Sequence, residues 1–195
     1  MSAMRLPPLP VDDVIPELFA HLRSAGAVIL RAPTGAGKTT RVPQALVASE
    51  WGSQGTVLLL EPRRVAARAA ARRMAGESQT SLGREFGYHV RFDKKCGPQT
   101  RCLVVTPGIL LRMLHDDPYL ESVSIVIFDE FHERGIEADL ALGLCKLLRE
   151  SVNALKLIVM SATVGINPIL SSAIAPSPAK GRPSPSTSTL STQAS

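Results

Sequence analysis

Lys38, Thr39, Asp129 and Glu130 are the residues of this sequence whose types and settings could act together on a phosphate. Lys38 and Thr39 fall in the run Ala32-Pro33-Thr34-Gly35-Ala36-Gly37-Lys38-Thr39-Thr40. Its small residues let the backbone wrap closely, so that N–H groups and the start of a helix converge on an anion. Lys38 would reach the β- and γ-phosphates of a nucleoside triphosphate, and the Thr39 hydroxyl would ligate the Mg²⁺ that bridges them. Ala32 stands where such a loop usually begins with glycine. Asp129 and Glu130 follow the apolar run Ser124 to Phe128. An aspartate at a strand end can hold the same Mg²⁺ from the side opposite Thr39, and the adjacent glutamate can orient and deprotonate a water. A glycine turn before a helix, or two acids in a solvated turn, would account for either segment alone. Together they point to γ-phosphate hydrolysis, with Lys38, Asp129 and Glu130 as catalytic residues and residues 32 to 40 as the cofactor loop.

The elements that must position these groups can be read along the chain. Residues 1 to 10 are proline-rich and expected to be irregular. From Asp12 or Asp13, Val14, Ile15, Leu18, Phe19 and Leu22 recur at helical spacing up to Arg23. Strands are predicted at residues 27 to 30, 56 to 60, 88 to 92, 102 to 105, 124 to 128 and 156 to 160. Helices are predicted over 40 to 49, from Glu61-Pro62 to about 77, over 107 to 114 and over 136 to 150, with Trp51 to Gly55 read as a turn and 79 to 87 as a loop. Continuous apolar runs such as Thr56 to Leu60 indicate strands covered on both faces. The alternation predicts an α/β fold with a mostly parallel sheet flanked by helices, over residues 11 to 164, with ligands at the carboxyl ends of its strands. From Gly165 the composition turns to Ser, Pro, Thr and Ala, and residues 165 to 195 are expected to form a disordered tail.

Composition sets the outer bounds. At 195 residues, 45% hydrophobic and 20% charged, the chain suits one soluble domain, and with only 4% aromatic residues its core should be aliphatic. The net charge of +5 is compatible with a polyanionic partner without naming one. Cys96, Cys102 and Cys145 make neither a metal-type pair nor a full disulfide set, which fits a reducing cytoplasm. No run approaches the length needed to cross a membrane.

Read in order, residues 35 to 40, Glu61-Pro62-Arg63-Arg64-Val65-Ala66-Ala67, Thr106 to Arg112, Asp129-Glu130-Phe131-His132-Glu133-Arg134 and Ser161-Ala162-Thr163 resemble motifs I, Ia, Ib, II and III of superfamily 2 DEAH/DExH-box helicases. The Asp-Glu-Phe-His form, the Glu-Pro-Arg-Arg segment and Leu9-Pro10-Val11 resemble most the HrpB-type ATP-dependent helicases of bacteria. The resemblance implies a RecA-like domain of the phosphate-loop NTPases, with ATP and Mg²⁺ as cofactors. It implies a single-stranded RNA or DNA partner contacted by Arg63, Arg64, Thr106 and Gly108, and coupling of that partner to ATP through His132, Ser161 and Thr163. Arg68, Arg72 and Arg73 are read instead as a solvated helix face, and Pro107 departs from the acidic residue usual in the family. The family's engine closes two RecA-like domains on each other, and the resemblance here ends just after Thr163. The expectation is a chain truncated or frameshifted after motif III, with low activity of its own. Its second domain is either supplied elsewhere or absent, and the alternative is a non-catalytic nucleotide- and nucleic-acid-binding module.

Overall fold

The alternating apolar runs resolve, in the computed structural model, into one open sheet with helices on both sides; residues 7–133, 135–151, 155–162 and 169–171 are described. In chain order the elements are α1 (Ile15–Ala25), β1 (Ala27–Ala32), α2 (Lys38–Val47), α3 (Glu50–Gln54), β2 (Thr56–Leu60), α4 (Arg64–Glu77), β3 (Phe86–Val90), β4 (Asp93–Lys95), β5 (Cys102–Val105), α5 (Pro107–Asp116), β6 (Val123–Phe128), α6 (Ile136–Ser151), β7 (Lys156–Ala162) and β8 (Ile169–Ser171). The sheet order is β4-β3-β5-β2-β6-β7-β1-β8. All pairings from β3 to β1 are parallel, and only the edge strands β4 and β8 run antiparallel.

The period-two geometry of a strand sorts the core into two layers. Val57 and Leu59 of β2 point to one face, where α1, α2 and α4 deliver Leu18, Leu22, Val42, Leu46, Ala71 and Met74. Leu58 and Leu60 point to the other, against Leu110 and Leu114 of α5 and Ala141, Cys145 and Leu148 of α6. This burial of both faces is why β2 and β6 read as unbroken apolar runs.

Several boundaries differ from the sequence reading, each for a physical reason. Trp51 lies in helix α3 and not in a turn: its buried ring meets Phe19 edge-on at 5.2 Å, which holds the segment against α1. Helix α4 begins at Arg64, two residues later than Pro62. Glu61 still donates its N–H to the Val105 carbonyl at 2.9 Å, and a residue before proline is biased toward extended backbone. Strand β3 begins at Phe86, inside the expected loop, because Phe86 pairs in register with Cys102, and it ends in a hairpin to the short β4. Strand β8 carries the sheet past residue 164, pairing Ile169 with Arg31. The rest of the expected tail, residues 165–168 and 172–195, lies outside the described residues, as does Thr163.

Candidate nucleotide site and adjoining groove

The loop after β1 bends through Gly35 (φ +81°) and Gly37 (φ +94°), left-handed conformations that glycine adopts without strain. Lys38 opens α2, and its buried ammonium donates to the carbonyls of Ala32 at 2.7 Å and Pro33 at 3.0 Å. The cation is thus held over its own loop. Thr39 Oγ1 donates to Asp129 Oδ2 at 2.5 Å, joining the loop to the end of β6. The other carboxylate oxygen of Asp129 accepts the Glu130 N–H at 2.8 Å, and the Asp129 N–H donates to Leu60 at 3.0 Å. Burial pushes the Asp129 carboxyl up to about 6, against the hydrogen bonds from Thr39 and the Glu130 N–H, which favour its charged form. The fold therefore gathers Lys38, Thr39, Asp129 and Glu130 at one point of the sheet edge.

Glu130 is itself in the left-handed region (φ +47°), an uncommon conformation for a glutamate. Its Oε2 lies 3.3 Å from His132 Nε2, while His132 Nδ1 accepts the Ala162 N–H at 3.3 Å. With one ring nitrogen accepting, the other carries the proton toward Glu130. His132 thus links Glu130 to the end of β7, beside Ser161, whose hydroxyl donates to the Ala162 carbonyl at 3.4 Å.

A buried acid that the sequence reading passed over stands next to this cluster. Glu61 is only 4% exposed, and its carboxyl is pushed up to about 8 by burial first and then by Asp129, Glu130 and Glu133, with Arg63 pulling the other way. A folded-state value above the ordinary 4.5 means that the folded chain holds this proton more tightly. Its contribution to stability is full below about 4.5 and is lost as the pH climbs to about 8. Thermal unfolding of the nucleotide-free chain is expected to show a midpoint that declines over this window, and Glu61→Gln should flatten the decline. An unchanged slope in that variant would assign the effect to other groups.

Beside the acid pair runs a groove of about 960 Å³, lined among others by Arg64, Thr106, Gly108, Arg112, Asp129 and Glu130. Thr106 precedes α5 in extended conformation without using its hydroxyl to cap the helix, and Gly108 lies close to the Glu137 carboxylate. Arg63 is engaged elsewhere, in a two-pronged pair with Glu133 at 2.7 and 3.1 Å. Arg68 and Arg73 pair with Asp93 and Glu77, as suits a solvated helix face. The structure adds Arg91 and Phe92, at the β3–β4 turn, to the groove wall. Phe92 is 88% exposed at φ +68°, with the Arg91 guanidinium 4.8 Å from its ring centre. Phe92 is thus an exposed aromatic residue in a left-handed turn beside a basic side chain, a feature that only the tertiary structure reveals.

The fold and the loop define a RecA-like phosphate-loop nucleotide-binding domain. The family model for DEAD/DEAH box helicases matches residues 13–170, and the chain belongs to that family. It is 48% identical over 157 residues to the ATP-dependent RNA helicase HrpB of Escherichia coli K12, covering 80% of this chain and 19% of that protein. It is 40% identical over 164 residues to human ATP-dependent RNA helicase DHX33, covering 82% of this chain and 23% of that protein. The crystal structure of the E. coli DExH-box NTPase HrpB superposes with a TM-score of 0.78, covering 84% of this chain and 20% of that one. The chain thus spans about a fifth of the length of these relatives. Among the described residues no helix is long and apolar enough to cross a membrane.

Proposed function

We propose that this chain is the ATP-binding and strand-gripping RecA-like unit of a DEAH-type helicase acting on single-stranded RNA or DNA in the cytoplasm. The observation that carries the reading is the Thr39–Asp129 hydrogen bond, which joins the phosphate loop to an acid pair that also lines the groove holding Arg64, Arg91 and Arg112. Lys38 and the loop N–H groups bind the β- and γ-phosphates. Thr39 and Asp129 present the hard oxygen donors that Mg²⁺ takes, and the bound ion would neutralise charge on the phosphate oxygens. Glu130, steadied by His132, removes a proton from the attacking water. Ser161 and Thr163 relay the state of the nucleotide toward the groove. Arg64, Thr106 and Gly108 hold the sugar-phosphate backbone, and Arg63 joins them when its pair with Glu133 opens. An arginine finger from a second RecA-like unit is worth about 10³ to 10⁵ in rate, so turnover without one should be slow.

The deciding experiment is ATP hydrolysis by this chain with and without single-stranded RNA. Stimulation supports the helicase reading, binding without any turnover leaves a nucleotide- and strand-binding module, and failure to bind ATP with Mg²⁺ removes both.

The groove makes its own prediction. Each base stacked on an aromatic ring is worth about 1 to 3 kcal/mol, so Phe92→Ala is expected to weaken binding of a labelled single strand about tenfold, with little effect on ATP affinity. Arg64→Ala should instead reduce the salt slope of log affinity by about 0.7 for the phosphate contact it loses. Fluorescence anisotropy across a salt series measures both, and a Phe92→Ala chain that binds strands normally would remove the stacking role.

A further inference from the structure

The segment before α1 is joined to the phosphate loop by several independent contacts. The Val11 N–H donates to the Ala36 carbonyl at 3.1 Å, and the Val11 side chain is fully buried. Leu9 lies against Gly37 so closely that a Cβ there would stand 2.6 Å from Leu9 Cδ1. Asp12 Oδ2 accepts the Leu9 N–H at 2.8 Å, closing the turn, and Asp12 Oδ1 lies 3.9 Å from Arg41 Nε. Arg41 Nη2 in turn donates to the Pro7 carbonyl at 2.7 Å. Residues 7 to 12 are therefore tied to both ends of the loop-helix junction.

The geometry of a peptide unit gives this strap a consequence. No peptide bond among the described residues is cis, and in a trans unit the C=O and the following N–H point in opposite directions. Holding the Ala36 carbonyl toward Val11 turns the Gly37 N–H the other way, into the concave side of the loop where an anion sits. Gly37 is also the residue most able to flip that unit, since its left-handed backbone costs it little in either direction. Leu9 packs on this same residue.

We propose that residues 7 to 12 form a strap that fixes the Ala36–Gly37 peptide so that its N–H faces the phosphates, making Leu9, Val11 and Asp12 positioning residues for triphosphate binding. The proposal rests on the nucleotide reading above, and it adds that phosphate affinity is set partly from outside the loop. Because the strap acts on the phosphate cradle and not on a base, tripolyphosphate and ATP should report it equally.

The test is calorimetric titration of the full chain and of Leu9→Ala, Asp12→Ala and Asp12→Asn with ATP·Mg²⁺ and with tripolyphosphate, alongside thermal unfolding without ligand. Leu9→Ala and Asp12→Ala are expected to bind both ligands about five- to tenfold more weakly, the worth of about one hydrogen bond. Their unfolding midpoints should stay within about 4 °C of the parent, and Asp12→Asn, which can still accept the Leu9 N–H, should recover most of the affinity. Should the variants fold poorly, the parent decides: with ¹⁵N-glycine labelling, the Gly37 amide signal must move when tripolyphosphate is added. Variants that bind tripolyphosphate as tightly as the parent, or a Gly37 signal that stays still while Gly35 moves, overturn the strap and leave the nucleotide reading standing. A parent that binds neither ligand overturns the nucleotide reading and the strap with it.

Discussion

Lys38→Ala is expected to cut the affinity of this chain for ATP with Mg²⁺ about a hundredfold, the largest binding effect of any single side chain in the loop. The ammonium is 4% exposed and is held by two loop carbonyls, Ala32 and Pro33, so it is already over the site before any nucleotide arrives. On binding, those carbonyls give up the ammonium to phosphate oxygens. A hydrogen bond to a charged partner is worth about 1.5 to 3 kcal/mol, and the upper end applies where solvent is excluded. Lys38→Arg should rescue little, because a planar fork cannot fill a buried space shaped for a compact ammonium. Calorimetry with ATP·Mg²⁺ checks this. A Lys38→Ala chain that keeps its affinity to within about threefold, less than a single net hydrogen bond, would mean that the backbone N–H groups alone hold the phosphates.

The strand order sets the phosphate loop in one row with the other motifs. Along the carboxyl edge of the sheet, β3, β5, β2, β6, β7 and β1 present in turn Phe92 just beyond β3, Thr106, Arg63 with Arg64, Asp129 with Glu130, Ser161, and the phosphate loop. The groove occupies one end of that row and the phosphate loop the other, and β6 belongs to both. Asp129 therefore stands in the groove wall and at the phosphate loop at once, with Glu130 beside it. His132 extends this chain of contacts from Glu130 to the end of β7.

How much of this was legible from the sequence depends on whether a feature is built from consecutive residues. The phosphate loop and the acid pair are runs of neighbours whose chemistry shows in their order, and β2 and β6 are runs whose burial shows in their composition. The structure brings Thr39 to Asp129, with Lys38 and Glu130 their neighbours in sequence. What could not be read depends on partners distant in sequence. Phe86 is a strand residue because Cys102 pairs with it, and Trp51 is helical because Phe19 covers it. Glu61 reads as a helix-opening acid until its burial among Asp129, Glu130 and Glu133 is seen, and Arg63 reads as a free backbone contact until Glu133 is found on it. Phe92 is one apolar residue in an alternating segment; its exposure and left-handed backbone give it meaning.

Glu130→Gln is expected to lower ATP hydrolysis about 10²- to 10⁴-fold, the usual worth of a general base, while leaving ATP affinity nearly unchanged. The separation follows from the geometry. In the proposed function phosphate binding falls to Lys38, the loop N–H groups and the Thr39–Asp129 pair, whose contacts do not use the Glu130 side chain. Glutamine keeps the size of the side chain and can still accept from His132 Nε2, so the left-handed turn at Glu130 and the link to Ala162 should survive. Only the ability to take a proton from water is lost. Single-turnover measurement with excess protein, in the presence of single-stranded RNA, reads the chemical step even where it is slow, and calorimetry on the same variant reads binding. A Glu130→Gln chain that hydrolyses ATP at the parent rate would move the base to another group.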